Sequence, residues 1–262
     1  MGFSISILRE KTWIILSRFL FSPQDLIYEI FNNFIMTEKE AEDLCRMVRV
    51  GVDLSRPKYN YRPETKMELR DLIGELIKKR GNEADLNDVD VSRITNMSHL
   101  FTYSEFNGDI SEWNVSKVKN MEGMFWDSQF NGDISKWNVS EVEEMGCMFE
   151  GSQFDGDISK WDVSKVRDMH LMFAYSEFNG DISSWDVSGV GNMSGMFKDS
   201  QFNGDISKWD VSGVEDMSGM FAYSQFNGDI SKWDVSKAKD MAWMFYKSKF
   251  NRDISKWAKK PE

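Results

Sequence analysis

The sequence predicts an α/β repeat solenoid, with one short parallel strand and one short helical or 3₁₀ segment in each 24-residue repeat and a helical region ahead of the first copy. Three observations predict it. One residue pattern recurs at a fixed interval, the apolar spacing inside the pattern switches from strand-like to helix-like, and each copy carries more apolar surface than it can bury alone.

The interval is set by Phe106, Phe130, Phe154, Phe178, Phe202, Phe226 and Phe250, each 24 residues after the last. A full copy, such as Phe130 to Gln153, reads F-N-G-D-I-S-x-W-[DN]-V-S-x-V-x-x-M-x-x-M-F-x-x-S-x. A weaker leading copy begins near Asn82; it keeps Asp85, Leu86, Asp90, Val91 and Ser92 and has Val89 at the tryptophan position.

Within a copy, Ile134, Trp137 and Val139 stand at the spacing of a leucine-rich-repeat strand, in an I-x-x-W-x-V version. Residues two apart in a strand share a face, so Trp137 and Val139 are expected to point inward while Lys136, Asn138 and Ser140 point out. Val142, Met145, Met148 and Phe149 then follow at spacings suited to a short helix or 3₁₀ turn. The expected unit is a leucine-rich-repeat-like right-handed coil, stacked on its neighbours to form a continuous apolar spine. Burial of each large side chain is worth about 1.5–3 kcal/mol, so such a spine offsets chain entropy without a metal or disulfide.

The polar constants read as turn chemistry. In Asn131-Gly132-Asp133, glycine is expected to supply positive φ and the flanking side chains to bond nearby backbone. The aspartate column Asp109, Asp133, Asp157, Asp181, Asp205, Asp229 and Asp253 is read as structural, with calcium binding as the weaker alternative, because it lacks the dense alternation of calcium loops. Ser128, Ser152, Ser176, Ser200, Ser224 and Ser248 are expected to satisfy loop backbone groups.

The segments F-N-G-D-I-S-K-W-D-V-S and V-x-x-M-x-x-M-F resemble the BspA-like leucine-rich-repeat surface-protein family, with its Mycoplasma-type lipoprotein repeat of unassigned function, over about residues 82–257. The helical stretch from Glu64 to Gly81, with Met67, Leu69, Leu72, Ile73, Leu76 and Ile77, looks like the lead-in to such repeats. The resemblance implies a solenoid used for adhesion or protein binding, and no reaction. It implies the cell surface; the lack of a signal peptide, a lipobox cysteine or a wall-sorting signal in this sequence favours the cytoplasm instead.

The expected organisation is a helical module and linker over 1–62, a capping helix over 63–81 and the solenoid over 82–262. Residues 1–22 are interrupted by Arg9, Glu10, Lys11 and Arg18, which argues for an amphipathic helix over a membrane span, with weak membrane contact as the alternative. Ser22 to Val50 reads as helical, and its opening, Ser22 to Phe31, faintly resembles an F-box, which would make the chain an adaptor with the solenoid as substrate receptor.

A net charge of −11 argues against a nucleic-acid ligand. The only cysteines, Cys45 and Cys147, have no metal or disulfide spacing, and neither a nucleotide fingerprint nor a hydrolase motif is present, so no cofactor, metal or catalytic residue is expected. His99 and His170 are expected on the surface. The expected partner is a protein. Its candidate face is the outward strand row Lys136, Asn138, Lys160, Asp162, Asp186, Lys208, Asp210, Lys232 and Asp234, joined by aromatic contacts at Trp126, Tyr175, Tyr223 and Tyr246, which fall in columns that vary between copies.

Overall fold

The structure, a computed structural model, describes residues 59–258. The chain divides into two compact units, Met1–Lys58 and Tyr59–Glu262. The helices expected before residue 51, the segment proposed for membrane contact and the F-box-like stretch lie outside the described residues. The end of the expected linker pairs with the first copy. The amide of Asn60 donates to the carbonyl of Asp88 at 2.8 Å, that of Asp90 to Tyr61 at 2.9 Å, and Tyr61 forms a parallel bridge with Val89.

The lead-in helix α1 spans Lys66–Arg80 and is the only α-helix among the described residues. Thr65 caps it, its hydroxyl accepting from the Glu68 amide, while the Glu68 carboxylate accepts from the Glu64 amide. Gly81, at φ 91°, ends it where an L side chain would be strained. Leu69, Ile73 and Leu76 form its buried stripe; Met67, expected to join them, is 65% exposed because it projects from the opposite side. Arg80 holds Asp88 through two 2.9 Å bonds, which ties the helix end to the first copy and keeps the Asp88 carboxyl below the usual carboxylate range.

From there on, equivalent residues of successive copies are neighbours. Asn96, Asn120, Glu144, Asp168, Asn192, Asp216 and Asp240 bridge in series, each parallel to the next. The apolar constants line up inside: Phe125, Phe149, Phe173, Phe197 and Phe221 stack with ring centroids 5.7–5.8 Å apart, and Phe130, Phe154, Phe178, Phe202 and Phe226 at 6.3–6.4 Å. These rings, with the Ile, Trp, Val and Met columns and the buried stripe of α1, make one continuous core.

Two expectations about local structure are corrected. The I-x-x-W-x-V segment is not a strand: Trp137 N–H bonds Ile134 C=O and Val142 N–H bonds Val139 C=O, each closing a tight turn. The parallel pairing instead falls on the residue before the first Met, at Glu144 rather than between Ile134 and Val139. Nor is the V-x-x-M-x-x-M-F segment helical. One residue inside it and one just after it are left-handed in each copy, for example Gly123 (φ 57°) and Asp127 (φ 49°), and a right-handed helix cannot run through them. The N–H groups therefore split. Those of Met124, Trp126 and Ser128 close turns onto Met121, Gly123 and Phe125, while those of Met121, Gly123, Phe125 and Asp127 reach across to the next copy at 2.7–2.9 Å.

The glycine of N-G-D is corrected as well. It does not have positive φ; it is needed for space, since a Cβ on Gly132 would stand 2.8 Å from the Phe130 ring. Its asparagine neighbour does more than expected. Oδ1 of Asn107 accepts from the Asn131 amide at 2.8 Å, and the ladder continues through Asn131, Asp155, Asn179, Asn203 and Asn227, joining each copy to the next. Asp155 serves in it because only an acceptor oxygen is required.

Candidate functional site

The outward row predicted from sequence is exposed throughout: Lys136, Asn138, Lys160, Asp162, Asp186, Lys208, Asp210, Lys232 and Asp234 all face solvent. Its acidic members also hold the local backbone through one oxygen each. Oδ1 of Asp162 accepts from the Ser164 amide at 3.1 Å and from its hydroxyl at 2.6 Å, and Asn138, Asp186, Asp210 and Asp234 hold the equivalent amides. These are Asx turns, and the bonds from Ser164, Ser212 and Ser236 hold the carboxyls of Asp162, Asp210 and Asp234 below the usual range. The Asp109 to Asp253 column does the same work one turn earlier, with Asp133 bonding the Ser135 amide at 2.9 Å. Among the described residues no cluster of three or more His, Cys, Asp or Glu side chains is arranged to hold a metal ion.

The predicted aromatic contacts separate into groups. Trp126 is half-buried, packed at 5.4 Å from Tyr103 and 6.1 Å from His99. Tyr175 stands alone under the Lys198 ammonium, 5.4 Å from the ring centre. Tyr223 and Tyr246 come together edge to face at 5.4 Å, and Trp243 joins them, 4.7 Å from Tyr246 and 61% exposed. Lys247 lies over both tyrosine rings. Tyr103 shares the variable column of Tyr175 and Tyr223, whose exposed aromatics are interface candidates from sequence; Trp243 is not among those candidates. The available signal was column substitution: Trp243 stands where other copies have Gly123, Gly195 and Gly219.

These aromatics share a backbone origin. Tyr103, Tyr175, Tyr223 and Trp243 occupy left-handed positions, with φ from 55° to 61°. A non-glycine residue there costs about 1 kcal/mol or more and persists where the surroundings over-determine it, as the bonds from each of the three tyrosine amides to the next copy do. None of the left-handed residues belongs to the apolar core, and the two positions vary from Gly to Trp.

A constellation not foreseen from sequence lies between the second and third full copies. Sγ of Cys147 is 3.4 Å from Nε2 of His170, whose Nδ1 is 2.8 Å from Oδ1 of Asp168. Gly146 makes it fit, because a Cβ there would stand 2.2 Å from the imidazole. The order is that of a nucleophile, a base and an orienting carboxylate. The electrostatics oppose that use. Burial, then Glu150 and the more distant Glu122 and Asp168, push the thiol up to about 12, so it is neutral near pH 7 and a poor nucleophile. His170 is raised by its bond to Asp168 against the opposing effect of burial. Burial pushes Asp168 up, but the bonds from the His170 side chain and amide outweigh it and leave the carboxyl lowered.

No helix among the described residues is long and apolar enough to cross a membrane. Neither a curated protein nor a solved structure matches the sequence. One family does, over residues 72–177 and again over 174–261, and its two matches take in every copy of the 24-residue unit after the first few residues of α1. The chain is a tandem-repeat protein and belongs to the family described as Mycoplasma protein of unknown function, DUF285.

Proposed function

We propose that this chain is a non-enzymatic binding module, a right-handed solenoid of the BspA-like leucine-rich-repeat kind that presents side chains to a protein partner in an interaction or adhesion role. The observation that carries the reading is the origin of the exposed large hydrophobics. Of the six among the described residues, five (Tyr103, Tyr175, Tyr223, Trp243 and Tyr246) come from the same short run, M-x-x-[ML]-F-x-x, of four copies. Aromatic rings supply large contact area at low entropic cost, and a stacked core holds them in fixed relation. The Lys and Asp row is the rim in this reading, with Lys136, Lys160, Lys208 and Lys232 free to set charge preference.

The test has two parts. Small-angle scattering of the full chain gives an elongated particle if the repeats form a solenoid; a spherical profile overturns that part. For binding, the triple change Tyr103→Ser, Tyr175→Ser, Tyr223→Ser is expected to abolish capture of any partner recovered by the parent while leaving thermal unfolding intact. Capture that survives it, but is lost in Lys136→Ala with Lys160→Ala, would move the interface to the outward row. No partner for the parent under any condition would overturn the binding reading.

A further inference from the structure

The stacked run has a polarity that ordinary strands lack. The amides of Met217, Gly219, Phe221 and Tyr223 donate to the carbonyls of Asp240, Ala242, Met244 and Tyr246 at 2.7–2.9 Å, and the same register recurs from Met97 onward. Every such N–H points toward the following copy and every such C=O toward the preceding one. A strand edge alternates donors and acceptors. Here left-handed residues interleaved with right-handed ones put donors alone on one side, the arrangement that makes backbone nests for anions.

In the last copy described this donor row is Met241, Trp243, Phe245 and Lys247, and their amides meet no acceptor among the described residues. Side-chain charge agrees with the backbone. Residues 239–258 contain four lysines and one arginine against two aspartates, a net +3, which is +2 beside the row once Lys239 is paired with Glu215 at 2.7 Å, in a chain whose net charge is −11. Lys247 belongs to the row itself and is exposed, as is Trp243.

We propose that this edge binds an acidic peptide segment, its carboxylates accepting from the row of amides with Lys247 and Lys249 supplying counter-charge. A peptide fits better than a lone anion because four donors at every second residue form a line, which successive carboxylates can follow and one tetrahedral ion cannot fill. An uncharged strand fits worse, since half of its edge would be donors facing donors. The proposal does not depend on the aromatic face described above; it uses backbone atoms that the triple tyrosine change leaves in place.

The experiment is amide NMR on the full chain, labelled with ¹⁵N and titrated in parallel with hexaglutamate, hexalysine and inorganic phosphate. Saturable shifts at Met241, Trp243, Phe245 and Lys247 with hexaglutamate are expected, weakening severalfold as salt is raised and roughly tenfold in the variant Lys247→Gln with Lys249→Gln. Hexalysine should leave these four amides unmoved. Phosphate acting as strongly as hexaglutamate would overturn the peptide assignment. Hydrogen exchange at the four amides as slow as at Met217, Gly219, Phe221 and Tyr223 would overturn the proposal altogether, because it would mean the donors are already occupied.

Discussion

The indole Nε1 of Trp161 donates to the carbonyl oxygen of Ile134, 3.2 Å away in the preceding copy, and the same bond joins every tryptophan of the column to the copy before it. Tryptophan therefore fills the core and satisfies a carbonyl across the stack at once, which neither Phe nor Leu can do.

That double role sets the first prediction. Trp161→Ala removes a ring that is 4% exposed and should cost about 3–5 kcal/mol in urea unfolding. Trp161→Phe keeps most of the apolar volume but leaves the Ile134 carbonyl with the Trp137 amide as its one donor, and should cost about 0.5–1.5 kcal/mol. Equal stability of the Phe variant and the parent would remove the bond from the explanation.

Two glycines separate space from backbone conformation. Gly132→Ala forces a Cβ to within 2.8 Å of the Phe130 ring and should destabilise by about 1–3 kcal/mol. Gly219 has φ 61° but open space around it, so Gly219→Ala should cost only the left-handed penalty, about 1–2 kcal/mol, and Gly219→Asn less than Gly219→Ala. The check is the order of the three variants by thermal unfolding, with Asn least affected at Gly219.

How far the sequence carried the fold is visible in these same residues. The inside columns were legible because Ile134, Trp137, Val139, Val142, Met145, Met148 and Phe149 repeat with a fixed period, and all are buried. Local conformation was not, because V-x-x-M-x-x-M-F has apolar spacing common to a short helix and to linked turns. Gly123, Gly195 and Gly219 hinted at positive φ, but His99, Cys147, Leu171 and Trp243 in the same column masked the hint. Of the candidate site, exposure was readable from the two-residue alternation of Lys136 and Asn138. The Asx-turn duty of Asp162, and the meeting of Cys147 with His170 from adjacent copies, depend on the stacking register, which no single copy displays.

The His170–Asp168 pair should give stability a pH signature. The bond to Asp168 raises the folded-state pKa of His170 above its ordinary 6.5, so protonated His170 stabilises the fold fully below that value. The stabilisation falls as pH rises past 6.5 and is gone above the raised folded value. Denaturation midpoints of the parent and His170→Gln should accordingly differ most in mild acid and converge through the alkaline side of neutrality. A difference that grows with pH would contradict the assignment.

Cys147 should be slow to alkylate. With its thiol pushed up to about 12 from an ordinary 9.0, the thiolate at pH 8 is scarcer by roughly three orders of magnitude, partly offset by greater nucleophilicity. Iodoacetamide should therefore modify Cys147 at least tenfold more slowly in the native protein than in urea, and Glu150→Gln should recover part of the rate. A native rate matching the unfolded one would return the Cys147–His170–Asp168 line to consideration as an activated nucleophile.

The outward row gives the last prediction, because its two residue types are exposed alike and bonded differently. Lys160 makes no bond that fixes the chain, and Lys160→Ala should change stability by no more than about 0.5 kcal/mol. Asp162 holds the Ser164 amide and hydroxyl, so Asp162→Ala opens a turn and should cost about 0.5–1.5 kcal/mol. Asp162→Asn keeps the accepting Oδ1 and should recover most of that loss, as Asn138 already does one copy earlier. Acid should erode the difference between Asp162 and Ala. The folded carboxyl is held below its ordinary 3.8, so its stabilisation is present above that value and is lost as pH falls through the lowered one. Urea unfolding of the three variants at pH 7 and again near pH 3 measures both effects. If Asp162→Asn is as damaging as Asp162→Ala at pH 7, the carboxylate charge rather than the turn bond matters, and the row regains its standing as a charged face open to a partner.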